Sequence, residues 1–262
     1  ISITLQTDLN SSTNAGTYNE HITLTENDSL YDITLRSGTI IITPRKIAIE
    51  LDDKTSVYGD NASNLTYKLY YNSEEVDESD LINFVSIEPS CAVDSTSGVG
   101  NYEITAITSQ SDNYDITIVN GEYVVTVRPI EITINNVSIE YGESYETFNY
   151  TVNQGSVVNN DDLSLEYSVE FPSANQFGFY NFGDYTITAE SNNDNYSVSI
   201  NSGIYSITKR KLSISTNQNF EFGSPIELDN NKYEIKTGSL VGLDTNLNIT
   251  FSTTATSASD IG

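Results

Sequence analysis

The side chains that carry most enzyme chemistry are scarce in this sequence: one His (His21), one Cys (Cys91), no Met and no Trp in 262 residues. A Ser-His-Asp relay needs a His beside each nucleophile, and a multi-His metal centre needs several, so neither fits this inventory. With 37 acids, close carboxylate pairs are unavoidable and carry no weight for glycoside hydrolysis. Gly98-Val99-Gly100 opens like a dinucleotide loop, but Glu103 stands where the third Gly belongs, and a strand pattern follows where a helix is required. What remains is hard-oxygen ligation of Ca²⁺. Asn27-Asp28, Asp112-Asn113 and Asp194-Asn195 each lie just before a Tyr that recurs along the chain, without EF-hand spacing. The same residue types also start turns by bonding their own backbone, which needs no metal. The expectation is a chain that is not an enzyme, with no catalytic residue and no cofactor, and with Ca²⁺ as the one ion to test for.

Composition removes other classes. The acids outnumber the 11 bases for a formal charge of −26. A nucleic-acid binder has to neutralise phosphates with clustered Lys and Arg, and this surface would repel them. No run approaches the roughly 18 apolar residues of a membrane helix, so no membrane insertion is expected of this segment. Eighteen Tyr and nine Phe, with many Ile and Val in alternating runs, bury enough apolar area to argue against disorder. A single Cys excludes an internal disulfide. The first 20 residues show no basic stretch followed by an apolar one, so no signal peptide is visible and the chain reads as a fragment.

Self-comparison fixes the elements that must position any site. Gly16-Thr17-Tyr18, Gly100-Asn101-Tyr102 and Gly183-Asp184-Tyr185 place their Tyr 84 and 83 residues apart. Tyr31, Tyr114 and Tyr196 follow at 83 and 82, and the aromatic-Gly pairs Tyr58-Gly59, Tyr141-Gly142 and Phe222-Gly223 at 83 and 81. A fourth marker, the strand openings Ile47-Ala48-Ile49, Ile132-Thr133-Ile134 and Leu212-Ser213-Ile214, gives 85 and 80. These divide the chain into 1–43, the second half of a repeat; 44–128 and 129–208, two whole repeats; and 209–262, the first two thirds of another.

Within a repeat, apolar residues alternate with period two at 46–51, 64–71, 102–107, 114–119 and 123–127. The best helix candidate is the stretch 77–84, which is short enough to be one turn or a strand approach. Asn120-Gly121 reads as a tight hairpin. About six strands in some 82 residues suit an all-β array of tandem small β-sandwich (Ig-like) domains; the alternative is a β-grasp unit with one helix across a sheet. Repeats are joined by about three residues without a Gly or Ser run, as in Ile42-Thr43-Pro44-Arg45-Lys46, so the array is expected to be elongated, a rod on the order of 100 Å or more. The joints are Pro44, Arg45 and Lys46; Arg128 and Pro129; Lys209, Arg210 and Lys211. They hold six of the eleven bases, placed to pair with acidic turns of the adjoining repeat. The recurring aromatics Tyr18, Tyr102, Tyr185, Tyr31, Tyr114, Tyr196, Tyr58, Tyr141 and Phe222 are expected in the core, because a position kept in every copy is one the fold requires. A Tyr there implies a hydroxyl reaching a backbone acceptor at the rim. Tyr70 and Tyr71, outside that register, are the better ligand-contact candidates.

The order Tyr58-Gly59-Asp60, Asp80-Leu81, Gly100-Asn101-Tyr102-Glu103-Ile104-Thr105, Asn113-Tyr114 and then 121–129 resembles the MBG-type (YGX-type) repeats of large bacterial surface adhesins. Phe222 for Tyr and Lys209 for the joint Pro depart from the pattern. The resemblance implies an extracellular tandem array attached to the cell surface or cell wall, a stalk that holds a separate binding region away from the envelope. Its partners are then the neighbouring repeats of the same chain, and a host or cell-surface ligand if the repeats themselves bind. The alternative function is a glycan- or protein-binding adhesion module.

Overall fold

Period-two alternation makes strands because successive side chains leave a pleated backbone on opposite sides, so one face can be apolar and the other wet. The computed structural model describes residues 3–19, 21–24, 30–242, 244 and 247–260, and the fold is all-β. It divides into two compact units, Ile1–Arg128 and Pro129–Gly262, which part at the joint Arg128-Pro129.

In the first unit, β1 (Ile3–Gln6), β2 (Gly16–Asn19), β3 (His21–Leu24) and β4 (Thr39–Ile42) come from residues 1–43, with β1 antiparallel to β3 and β2 to β4. The whole repeat follows as β5 (Arg45–Leu51), β6 (Lys54–Val57), β7 (Tyr67–Tyr71), β8 (Glu74–Val76), β9 (Ile87–Ser90), β10 (Gly100–Thr108), β11 (Tyr114–Val119) and β12 (Gly121–Thr126). These form two four-stranded sheets, β11-β5-β7-β8 and β6-β12-β10-β9. Strand β5 buries Ile47, Ile49 and Leu51 and exposes Lys46 and Glu50, so the alternation in its sequence is its orientation in the sheet. Around Ile47, Ile49, Leu69 and Leu81 pack Ile116, Ile118, Tyr114 and Phe84.

The second unit repeats this with β13 (Arg128–Ile134), whose first residue ends the first unit, then β14 (Val137–Glu140), β15 (Tyr150–Gln154), β16 (Leu165–Val169), β17 (Gly183–Ser191), β18 (Tyr196–Asn201) and β19 (Gly203–Thr208). Its sheets are β15-β13-β18 and β14-β19-β17-β16. Residues 209–260 add β20 (Ser213–Ser215) antiparallel to β21 (Glu234–Thr237).

The stretch 77–84 is a single turn, as its shortness allowed: a three-residue 3₁₀ turn, Glu78–Asp80, with Asn83 at φ 50° barring any longer helical path. Three sequence expectations change. Among the described residues there is no α-helix to lay across a sheet, so the β-grasp alternative lacks its defining element. Asn120-Gly121 is not a hairpin, because β11 runs parallel to β5 in one sheet and β12 runs parallel to β6 in the other. The chain crosses between sheets there, and Gly is required because a Cβ on Gly121 would stand 2.8 Å from the Leu51 carbonyl oxygen. Gly203 meets the Ile134 carbonyl in the same way, at 2.6 Å. The two-residue hairpin is instead Asn72-Ser73, at φ 52° and 68°, between β7 and β8. Finally, β13 buries Ile130, Ile132 and Ile134 as β5 buries Ile47, Ile49 and Leu51. Ile47 therefore corresponds to Ile130, not Ile132, and the marker spaced at 85 was two residues out of register.

The parallel pairs have a consequence for any half-repeat. The first two strands of a repeat, β5 and β6, pair with its last two, β11 and β12, so neither half completes a sheet alone.

Candidate functional site

The correct register aligns Arg45, Arg128 and Arg210, and with them Thr43-Pro44-Arg45, Thr126-Val127-Arg128 and Thr208-Lys209-Arg210. Each Thr-x-Arg ends one repeat and opens the next. Its partner is the aromatic-Gly turn. Gly59, Gly142 and Gly223 sit at φ 84°, 89° and 85°, the left-handed conformation that favours Gly. Each turn is closed across its ends: Asp60 N–H to the Val57 carbonyl, Glu143 N–H to Glu140 and Ser224 N–H to Glu221, at 3.0, 3.0 and 3.1 Å.

Because β6 runs parallel beside β12 with Val57 opposite Thr126, the next residue, Tyr58, donates its backbone N–H to the Thr126 carbonyl at 2.9 Å. Two residues on, Arg128 Nε donates to the Tyr58 carbonyl at 2.6 Å, and its Nη2 meets the Asp60 carboxylate. The peptide groups flanking one buried aromatic are thus held from both sides. The second unit repeats the arrangement. Tyr141 N–H reaches the Thr208 carbonyl at 2.8 Å, Arg210 Nε donates to the Tyr141 carbonyl at 2.8 Å, and Arg210 Nη2 lies 3.8 Å from Glu143. A guanidinium suits the role because its planar fork serves a carbonyl and a carboxylate together.

A cleft recurs where Thr-x-Arg meets the next repeat. In the first unit it is about 200 Å³ and polar, lined by Ser12, Thr13, Arg45, Asp80, Asn83 and Asn113 among others. Asn113 Oδ1 accepts the Ala15 N–H at 2.7 Å, Asn113 Nδ2 donates to Asn14 Oδ1 at 2.9 Å, and the Arg45 guanidinium lies 4.0 Å from the Tyr71 ring centre. In the second unit it is about 390 Å³ and mostly apolar, with Tyr141, Phe177, Phe182, Leu240, Val241 and Leu247 in its walls and Arg210 and Asp244 at its edge. Residues 171–182 hold Phe171, Phe177, Phe179, Tyr180 and Phe182, whereas the corresponding 88–99 hold no aromatic. That segment is ordered by Asn175, whose Oδ1 accepts the N–H groups of Phe177 and Phe179 at 3.0 and 3.2 Å and whose Nδ2 donates to the Tyr141 hydroxyl at 3.0 Å. Contact with 209–260 is close: a Cβ on Gly142 would overlap Val241, and one on Gly242 would overlap Phe179.

The expected residues divide by type. Tyr18, Tyr102 and Tyr185 are half-buried and each donates its hydroxyl to the backbone carbonyl four residues earlier (Asn14, Gly98, Asn181), all at 2.8 Å. Tyr114 donates to the Ile82 carbonyl at 2.7 Å and Tyr196 to Asp161 at 2.8 Å. Tyr58 and Tyr196 are buried, and Tyr141 is half-buried under Asn175. Two positions depart from the core expectation: Tyr31 is 63% exposed and Phe222 70%. The reason is the missing partner strand. Among the described residues, 1–43 contain no counterpart of β5 beside Tyr31, and 209–260 no counterpart of β12 beside Phe222. Of the joint residues, the arginines act and the others do not converge: Pro44, Lys46, Pro129 and Lys211 are exposed, and Lys209 lies over the Phe182 ring at 4.5 Å.

Of the Ca²⁺ candidates, Asp112, Asn113, Asp194 and Asn195 lie among the described residues. Asn27 and Asp28 lie outside the described residues, and no group of three His, Cys, Asp or Glu side chains converges among those described. Asn113 is engaged across the joint, and the Asn195 N–H bonds to Asn193 Oδ1 within its own turn at 3.0 Å. Tyr71 carries Arg45, while Tyr70 lines a shallow depression of about 530 Å³ with Lys46, Glu50 and Asn72. Cys91 is a half-buried free thiol, and His21 opens β3. The Thr-x-Arg motif went unread in the sequence, although its spacing of 83 and 82 was there to find.

Residues 47–124 match the family model described as MBG domain (YGX type). No curated protein matches the chain.

Proposed function

We propose that this chain, with its MBG domain of the YGX type over 47–124, is a spacer segment of a bacterial cell-surface adhesin, lying outside the cell and projecting a binding region from it. The observation that carries the reading is the repeated latch, in which Tyr58 and Tyr141 are each held by a following Thr-x-Arg through a donated and an accepted backbone hydrogen bond. Each latch ties an early turn of a repeat to the stretch of chain that leaves that same repeat, and so fixes the point from which the next repeat starts. No catalytic group is assigned, and the partners in this reading are the neighbouring repeats of the same chain. The formal charge of −26 keeps parallel copies apart and resists collapse.

Small-angle scattering on 44–128, 44–208 and the full chain tests this. A spacer gives a maximum dimension that rises by a constant step of roughly 30–40 Å per repeat. A plateau between the two longer chains would overturn it. The adhesion-module alternative is favoured by one observation, the aromatic segment 171–182 that only one whole repeat carries. Glycan-array binding by 129–208 that is absent from 44–128 would replace the spacer reading.

A further inference from the structure

Tension drawn along the chain reaches a whole repeat at two places, where its first strand starts and where its last strand ends. In 44–128 these are Arg45, which opens β5, and Arg128, which follows β12. The strands that meet the load are neighbours in space. β5 lies parallel beside β11, with Arg45 to Glu50 opposite Tyr114 to Val119, and β6 lies parallel beside β12, with Lys54 to Val57 opposite Tyr123 to Thr126. Tyr114 stands opposite Arg45 and Tyr123 opposite Lys54, 69 positions apart in both cases, so the stretches 45–57 and 114–126 pass from one sheet to the other without a slip in register.

Strand direction decides how the bonds are loaded. The stretch 45–57 is drawn toward its first residue and 114–126 toward its last. Because the two are parallel, the pull slides one past the other, and the evenly spaced bonds of a parallel ladder share it. Six paired positions in one sheet and four in the other are loaded together. Antiparallel strands under the same pull would open from one end, a bond at a time. Both ends of the ladder are also closed. Where the load enters, the Arg45 N–H donates to the Asn113 carbonyl at 2.9 Å. Where it leaves, the Tyr58 N–H holds the Thr126 carbonyl, Arg128 Nε holds the Tyr58 carbonyl, and Arg128 Nη2 meets Asp60. In 129–208, β14 lies parallel beside β19, with Val137 to Glu140 opposite Tyr205 to Thr208, and Tyr141 and Arg210 close that ladder in the same way.

We propose that each whole repeat bears tension along the chain: its parallel stretches form a clamp loaded in shear, and the arginine of Thr-x-Arg locks the clamp at the end where the load leaves. This is a function beyond length, because a spacer with antiparallel terminal strands would reach as far and give way under pull.

Forced unfolding reads the rate of unfolding rather than equilibrium stability. Single-molecule stretching of the full chain, with Cys91→Ser so that handles attach only where intended, tests the clamp in three directions. Held by its two termini, the chain loads both whole repeats in shear. Held by its N-terminus and Asp112→Cys, it draws β5 and β11 from their first residues, and β11, at the edge of its sheet, peels from the Arg45 end. Held by Asn61→Cys and its C-terminus, it draws β6 and β12 from their last residues, and β6, also at an edge, peels from the Val57 end. Asn61 and Asp112 are exposed, and either attachment decides alone should the other variant not fold.

Both whole repeats should rupture between the termini at a force at least ~2-fold above that at which 44–128 opens in a peeling direction, since bonds broken together resist more than bonds broken singly. Arg128→Met should lower one of the two ruptures between the termini and leave the Asp112→Cys direction unchanged, because that load path ends before the latch; a general loss of stability would lower both. Equal forces in shear and in peeling, no effect of Arg128→Met between the termini, or an equal fall in both directions overturns the proposal. The step per repeat in scattering is the same in each case, so this inference and the spacer reading fail separately.

Discussion

Replacing Arg210 by Met removes the guanidinium and keeps an apolar stem, so it isolates the latch from side-chain packing. Arg210 Nε donates to the Tyr141 carbonyl at 2.8 Å from a partly buried position, and a hydrogen bond with one charged partner contributes about 1.5–3 kcal/mol. The pair with Glu143 is longer, 3.8 Å, and the Glu143 side chain is 52% exposed, which puts it at about 0–1 kcal/mol. The loss should therefore be about 2 kcal/mol, and it should fall on the joint, because the carbonyl left bare belongs to the turn against which 209–260 pack. In hydrogen exchange, amides of β20 and β21 should open roughly 30-fold more often, while those of β17 and β19 in the preceding repeat stay near their original protection. Glu143→Gln should change the same amides less than about fivefold, since only the weaker component is lost. If Arg210→Met left β20 and β21 within threefold of the parent chain, or if Glu143→Gln equalled it, the carbonyl bond would not be what holds the joint.

Gly121→Ala and Gly203→Ala place a Cβ 2.8 and 2.6 Å from backbone carbonyl oxygens at ordinary φ, so each should cost about 1–3 kcal/mol by overpacking in urea unfolding. Gly100→Ala, with its nearest contact at 3.8 Å, is the control and should be far milder. The Tyr67 hydroxyl is pushed up to about 12 from 10.0 by burial first, then by its hydrogen bond to Glu78 and by that carboxylate's charge. Between those two pH values the unfolded chain has released the proton and the folded chain keeps it, so stability falls as pH rises through the interval. Tyr67→Phe should flatten that alkaline loss in a pH series of melting temperatures, and an unchanged slope would show that Tyr67 does not cause it.

How far the sequence reached follows from what each feature depends on. Alternation along β5, β10, β11 and β12 was legible because burial on one face is a local property of a pleated strand. The rim bonds of Tyr18, Tyr102 and Tyr185 were legible too, because a Tyr kept at a fixed register has a reason to carry a hydroxyl. The stretch 77–84 stays a single turn because one left-handed Asn outweighs a short apolar spacing. Asn120-Gly121 failed because a Gly required by a neighbouring carbonyl and a Gly required by a turn are the same letter. Tyr31 and Phe222 failed as core positions because repetition identifies what a residue does in a whole repeat, and its burial depends on strands some 70 residues away.

By itself, then, the sequence determined the period, the all-β character and the thin catalytic inventory, since periodicity and composition are carried by the order of residues alone. The tertiary structure decided which sheet each strand joins and which carbonyl each arginine meets. Parallel pairing brings the start of a repeat beside its end, and with it Thr126 and Arg128 onto Tyr58 across almost 70 positions of chain. No local pattern encodes that approach, because it exists only when both sheets have closed.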